Sequence, residues 1–507
     1  MNRAASASWA SPAESGGRRW LLLGLLLLVG AATAGAAVAT NGNIFASVAP
    51  VMTVTLVGAV CVAPIRLPLL ALAFLSLALD ATNEGPWNSP VAPLGRLLDH
   101  NLDKTIPVDA LTLPIMAGML IFFLLIHIHR RLSGSRVDEV DRVEAASPLL
   151  WGLGFSFLTL MALVALGIRR GGNVQMAKLQ VQNFVWILLT AYLFAVSLRG
   201  MRDYRILGRL ILAAAFSKSL MALWVHFTIN PPPSYATIHG DSMLFTGATI
   251  MLLARFAEQP VRRNALLCVG SLPLLLGAMV ANNRRLAWVE LAASVLTLYI
   301  VSRRTPLKRF VTRAVLLAAP VILIYVTVGW NSNSEVFAPV KVLRSVGDAS
   351  VDGSTLFRDL ENYNLLVTLR HNPIMGSGFG HEFDASVVMP DLSFFKEYRY
   401  MPHNSVLGLW GFTGVLGFTG LFMAVVVGVY LAARSYYCAQ APAERTAAFT
   451  ALAMVLIYFI QCWGDIGFSE RVGIFLVGPA LAVAGQLAVS TGAWGNRPAT
   501  AVVRGKR

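Results

Sequence analysis

Fourteen stretches of mostly apolar residues, each near the length of a membrane-crossing helix, recur along this chain of 507 residues. They lie near 20–39, 47–64, 67–80, 109–128, 149–168, 183–198, 206–227, 241–257, 265–281, 286–302, 310–329, 404–433, 447–464 and 471–490, the third being the shortest. About 20 residues at 1.5 Å each span the hydrocarbon layer of a bilayer. Inside lipid a crossing segment must satisfy its own backbone hydrogen bonds, and runs of this length do so as helices. Composition agrees: 56% of residues are hydrophobic and 13% charged, against about 25% charged in soluble domains. Mean hydropathy is +0.64. A soluble enzyme, a disordered chain and a secreted disulfide scaffold are excluded, and four scattered cysteines with no CxxC make a structural zinc site an unsuitable reading. The expected fold is an all-α integral membrane protein of about 14 transmembrane helices.

The first stretch, Trp20–Ala39, follows Arg18 and Arg19 and has signal-peptide features. Its apolar run exceeds the 7–15 residues of a signal core, so an uncleaved anchor is favoured.

The chain carries 41 Lys and Arg against 26 Asp and Glu, a net +15. Basic residues favour the cytoplasmic side of a membrane protein. With the N-terminus inside, 26 of the 41 fall in cytoplasmic segments, including the Arg303–Arg313 cluster. Both termini are therefore expected in the cytoplasm. The expected organisation is a tail (1–19), helices 1–11 (20–329), one large outer loop (330–402), helices 12–14 (403–490) and a basic tail (491–507). Within the loop, Ser354–His371 has helical apolar spacing and ends at Asn372-Pro373.

Residues that break the charge rule are the informative ones. Arg169-Arg170 and Arg284-Arg285 are basic pairs at outer helix ends. They either snorkel to lipid phosphates or bind an anionic substrate, for which the planar guanidinium fork is suited. Lys218 and Glu290 are ionisable groups inside spans. Such groups are costly and usually paired or functional; a structural Lys218–Glu290 ion pair is as good a reading as a supporting role in a site. Among eight histidines, His239 and His371 lie in outer loops without evident partners, whereas His403 ends the large loop and opens the twelfth span. An imidazole at that boundary can take a proton from a hydroxyl. Gly408, Gly411, Gly414, Gly417 and Gly420 follow it at three-residue spacing, which reads as helix packing.

Three stretches resemble the O-antigen ligase and O-antigen polymerase group of bacterial membrane glycosyltransferases. His403-Asn404, nine residues, then Gly414-Val-Leu-Gly417 is similar to the ligase histidine signature. Asn283-Arg284-Arg285-Leu286-Ala-Trp288 resembles the group's Ser-Arg-Gly-Ala-Trp stretch, with Arg285 on its arginine and Arg284 and Leu286 replacing Ser and Gly. Asn372-Pro373-Ile-Met-Gly376-Ser-Gly378-Phe-Gly380 is similar to a Pro-x-x-Gly-x-Gly stretch that precedes the histidine.

The resemblance implies transfer of a glycan from undecaprenyl pyrophosphate to a sugar hydroxyl on the periplasmic face of the inner membrane, with no cofactor, no metal and no nucleic acid. The acceptor is a second lipid-linked glycan for a polymerase or lipid A core for a ligase. Expected partners are membrane lipid and polysaccharide assembly and export proteins. The expected roles are His403 as base, Arg284 and Arg285 on the leaving pyrophosphate, Arg169, Arg170, Arg358, Arg399 and Asn404 in substrate binding, and Glu290 and Lys218 in support. Tyr398 and Tyr400, with Phe394 and Phe395, either stack on sugars or pack the loop. Span number and loop length favour an exopolysaccharide or O-antigen polymerase slightly over a ligase. A lipid-linked oligosaccharide flippase is the rival from another class, but it would favour repeated halves and a midplane site, and the unusual charges cluster at one surface.

Overall fold

A computed structural model describes residues 57–79, 113–135, 137–138, 142–230, 235–332, 334–337, 353–389 and 397–495, with the short pieces 24, 27–35, 37–39, 51, 54–55, 98, 340 and 344. The chain divides into two units, Met1–Pro68 and Leu69–Arg507. In the first, residues 27–35 and 57–62 are helical.

The second unit is built of α-helices. After α1 (Arg66–Ala78), which begins in the first unit, come α2 (Ile115–Leu132), α3 (Ser147–Arg169), α4 (Val174–Ser197), α5 (Met201–Thr228), α6 (Asp241–Glu258) and α7 (Arg262–Asn282). They are followed by α8 (Arg285–Val301), α9 (Pro306–Gly329), α10 (Gly353–His371), α11 (Ser405–Cys438), α12 (Pro442–Gly464) and α13 (Arg471–Ser490). Among the described residues, nine of these are long and apolar enough to cross a membrane. Two more expected spans form helices outside that set: α6 carries Asp241, Arg255 and Glu258, and α8 has 17 residues. The third expected span is only the 13 residues of α1, and the first two fall largely outside the described residues.

The most enclosed helix is α13, whose apolar window is 94% buried. Its sequence is apolar on every side, which suits a helix surrounded by others; it packs against α4, α11 and α12. The α9 window has no buried residue, as expected of a helix whose solvent is lipid.

The expected helix over Ser354–His371 is present as α10, which packs on α11. Residues 376–389 and 397–400 dock on the ends of α3 and α4. Asn173, the N-cap of α4, donates its backbone N–H to the Gly380 carbonyl (2.8 Å), and Gln180 accepts from the Gly380 N–H (2.6 Å) while donating to the Tyr400 carbonyl (2.8 Å). The described part of the large loop thereby holds to the start of α4 and leads into His403, which stands just before α11.

The glycine run of α11 is not simple packing. Gly414 sits at φ 62°, ψ −174°, and breaks the helix. The amides freed around the break are taken up by the Pro-x-x-Gly-x-Gly stretch: Val415 N–H donates to Pro373 O (2.9 Å), Leu416 N–H to Ile374 O (3.0 Å), and Gly378 N–H to Phe412 O (2.8 Å). A Cβ on Gly414 would lie 2.4 Å from the Ile374 carbonyl, and one on Gly376 would lie 2.2 Å from the Phe412 carbonyl oxygen. Glycine is required at both positions because two backbones touch there.

Candidate active site

His403 closes the capping loop immediately before Asn404, which caps α11 by accepting from the Leu407 N–H (3.0 Å). The imidazole is fixed by Glu361 of α10. One Glu361 carboxyl oxygen accepts from the His403 backbone N–H (2.9 Å), and the other lies 3.2 Å from Nδ1. Glu361 is 1% exposed and the His403 side chain 27%. A carboxylate only accepts, so it places the proton on Nδ1 and leaves Nε2 with a free lone pair. Phe357, one turn earlier on α10, meets the ring edge-on (5.4 Å between centroids). Asn404 donates to the Asn362 side-chain oxygen (3.0 Å), so α10 holds the whole His-Asn pair.

A second imidazole–carboxylate pair lies close by. His239 Nδ1 pairs with Asp465, the residue after α12. Ser405, at the start of α11, donates to the Asp465 carbonyl (3.2 Å), which ties this pair to the His403 segment. Burial would raise the Asp465 carboxyl, but the His239 hydrogen bond and charge, the Ile466 amide and the Arg358 charge together bring it down to about 2. Arg358 stands three residues before Glu361 on α10.

Arg284 comes next along the surface. Its Cζ stands 4.3 Å from the centre of the Tyr235 ring, and Tyr235 in turn lies beside His239 (6.5 Å between centroids). Asn283 adopts a left-handed conformation (φ 47°), which reverses the chain after α7 so that α8 starts at Arg285. Asn282, fully buried, holds the turn by accepting from the Thr237 N–H (2.9 Å) and donating to Ser242 (3.2 Å). Leu286, where the resembled stretch has glycine, packs over Gly464 next to Asp465. Both arginines are half-buried at a helix N-terminus that has no acidic residue in its first turn. A helix N-terminus and two guanidinium groups are the chemistry that suits an anion.

The structure thus brings Arg284, Arg285, Arg358, His403 and Asn404 to one region and adds Glu361, His239, Asp465 and Tyr235. Glu361 is one position of the helical pattern in the loop, which marks the helix but not which carboxylate faces the histidine. His239 and Asp465 are more than two hundred residues apart, so their pairing has no local signal.

Other expectations are corrected. Lys218 pairs with Asp241 (3.0 Å), not with Glu290, and both members are buried. Asp241 is the first residue of α6, a place where a carboxylate gives no sequence signal of a buried pairing. Glu290 is wholly buried in α8, and among the described residues no hydrogen bond joins it to Arg285. His371 is paired with Asp384 (2.8 Å) at the exposed side of the cap. Arg399 serves the cap itself, binding Glu382 (2.5 Å) and the Phe383 carbonyl (3.0 Å). Tyr398 packs on Phe383, which favours the loop-core reading of that aromatic stretch, while Phe394 and Phe395 lie outside the described residues. Both arginines are exposed; Arg170 donates to the Gly376 carbonyl (2.6 Å), and Arg169 makes no such bond among the described residues.

The architecture is that of a multi-pass helical membrane protein with a histidine–carboxylate pair and an arginine pair at one end of its helices. Residues 270–422 match the family model described as O-antigen ligase, and this match supports the O-antigen ligase and polymerase family for the chain. The matched segment runs from α7 through the glycine break of α11, and so contains Arg284, Arg285, Arg358, Glu361, His403 and Gly414. No curated protein matches the chain.

Proposed function

We propose that this protein is an inner-membrane glycosyltransferase that moves a glycan from undecaprenyl pyrophosphate to a sugar hydroxyl on the periplasmic face. The observation that carries the reading is His403, held by buried Glu361 with Nε2 free, near the cationic start of α8. The family match supports glycan transfer of the O-antigen ligase and polymerase type in general.

In the proposed step the acceptor oxygen attacks the anomeric carbon, its proton passes to His403 Nε2, and the bond from that carbon to the pyrophosphate oxygen breaks. General-base catalysis of this kind contributes about 10²–10⁴-fold. Glu361 fixes the ring and stabilises the imidazolium that forms. The leaving pyrophosphate carries the released charge, which Arg284, Arg285 and the α8 amides receive in a partly desolvated site; one well-placed donor is worth about 3–4 kcal/mol. Asn404 and Arg358 are assigned to the glycan side of the site. The capping loop excludes water that would otherwise compete as acceptor.

Polymerisation of an exopolysaccharide or O-antigen repeat is the favoured form of the reaction. Transfer to lipid A core is kept as a second form because the His403-Asn404 signature and the matched family model are those of the ligases. The deciding experiment is a deletion strain complemented with wild type or His403→Ala at equal protein level, with lipopolysaccharide and exopolysaccharide profiles read together. Loss of polymer with accumulation of single repeat units indicates polymerase, and loss of capped lipopolysaccharide indicates ligase. Full complementation by His403→Ala defeats the reading, and lipid-linked glycan movement without transfer in proteoliposomes would assign a flippase.

A further inference from the structure

At the far ends of the helices that carry the His239–Asp465 pair, α5, α6, α12 and α13 part around a cavity of about 400 Å³. Along α12 the cavity lining runs from Ala443 to Met454, so its outer end lies about 30 Å and its inner wall about 16 Å from Asp465. The cavity is distinct from the transfer site and does not depend on that reading.

Its inner surface is apolar, formed by Met251, Met454, Leu476 and Val483. Its rim holds Arg205, Arg209, Arg255 and Arg263, and among the described residues no Asp or Glu lines it. Arg205 and Arg209 are exposed and one turn apart on α5, so they share a face. None of the four forms an ion pair with a described residue. Arg255 donates through Nε to the Asn264 side-chain oxygen (3.0 Å), which orients it without neutralising it. The neighbouring carboxylate, Glu258, is committed to Arg445 and Tyr436 (2.5 Å each). The Thr450 hydroxyl, which also lines the cavity, has no hydrogen-bond partner.

Four guanidinium groups around one opening repel each other unless an anion sits between them. Their planar donors match phosphate oxygens. The apolar interior requires an occupant with a hydrocarbon part, and basic pockets between membrane helices take anionic head groups. We infer that this cavity binds an anionic phospholipid, its phosphate among Arg205, Arg209, Arg255 and Arg263 and an acyl chain against Met251, Met454, Leu476 and Val483.

The test uses the full chain purified in detergent, with native mass spectrometry and thermal unfolding in the presence of phosphatidylglycerol, phosphatidylcholine or inorganic phosphate. Wild type is expected to retain one phosphatidylglycerol, and Arg205→Gln/Arg209→Gln to bind it at least about tenfold more weakly, each arginine near a membrane surface being worth about one kcal/mol. Arg309→Gln/Arg313→Gln removes the same charge from the exposed start of α9, outside the cavity, and is expected to bind as wild type does. Ala447→Phe fills the cavity while keeping all four arginines and is expected to lose the lipid. Equal weakening in the α9 control, equal retention of phosphatidylcholine, retention of lipid by both cavity variants, or displacement of the lipid by inorganic phosphate at comparable concentration would each overturn the inference.

Discussion

Glu361 grips His403 twice, at the backbone N–H (2.9 Å) and at Nδ1 (3.2 Å), from a carboxylate that is 1% exposed. Both contacts end on one side chain, so ring orientation and tautomer are set together. Glu361→Gln keeps the shape but offers one acceptor instead of two. The expected result is a fall in turnover with little change in acceptor KM, smaller than the roughly 10²–10⁴-fold fall for His403→Ala. The double variant is expected to be no slower than His403→Ala alone, because the two act as a unit. Transfer rates in proteoliposomes at matched protein level check this; an additive double variant would separate Glu361 from the histidine.

The Arg169-Arg170 pair divides in function. Arg170 holds the Gly376 carbonyl at 2.6 Å and so pins the segment that fills the break in α11. Arg170→Ala is expected to increase hydrogen exchange over 373–380 and to lower turnover through that displacement. Arg169→Ala, at an exposed position, is expected to leave both near wild type. Equal exchange in the two variants would show that Arg170 does not anchor the segment.

Much of this site could be read from the chain because its parts carry local signals. The apolar runs mark the helices, the helical spacing of Leu356, Leu360, Tyr363 and Val367 marks α10, and His403 stands at a boundary where an imidazole is exposed to both water and membrane. Pairings across the bundle carry no such signal. Lys218 and Glu290 both lie within apolar runs, which suggests that they pair, yet the partner of Lys218 is Asp241, which combines a place in the first turn of α6, where a carboxylate suits the helix dipole, with full burial. The break at Gly414 was hidden for another reason: a regular glycine spacing suggests a smooth packing face, and only the approach of Pro373–Gly378 makes one of those glycines a hinge.

Gly414→Ala is expected to be severe. The new Cβ would meet the Ile374 carbonyl carbon at 2.4 Å, and the positive φ adds strain of about 1–3 kcal/mol. Gly270→Ala, on α7 with open space around it, is expected to be neutral or slightly stabilising. Thermal unfolding in detergent, with transfer activity as the second readout, distinguishes the two; similar unfolding temperatures would contradict the close backbone contact.

The buried Lys218–Asp241 pair leads to an asymmetric expectation. Lys218→Met alone leaves a buried carboxylate without its counter-charge, which costs about 3–5 kcal/mol. Lys218→Met/Asp241→Asn removes both charges and is expected to recover most of that loss. Unfolding temperatures of the single and double variants check the pairing. If Glu290→Gln rather than Asp241→Asn rescued Lys218→Met, Glu290 would be the operative partner.

Asp465 predicts a pH dependence with a definite sign. Its carboxyl is held at about 2, below its ordinary 3.8, against the upward effect of burial. A carboxylate lowered in the folded protein contributes stability that is fully present above about pH 4 and lost as pH falls through about 2. The difference corresponds to about 2 kcal/mol. Wild type is therefore expected to unfold at a higher temperature than Asp465→Asn at pH 6, with the gap closing as pH approaches 2. Removing the partner in His239→Gln takes away the main downward pull and leaves burial to raise the carboxyl toward or above its unfolded value, so the stability lost between about pH 4 and 2 should shrink or disappear. Unfolding curves from pH 6 to 2 for the three proteins decide the matter: a constant gap between wild type and Asp465→Asn, or an acid loss in His239→Gln as large as in wild type, would show that His239 does not hold the Asp465 carboxyl down.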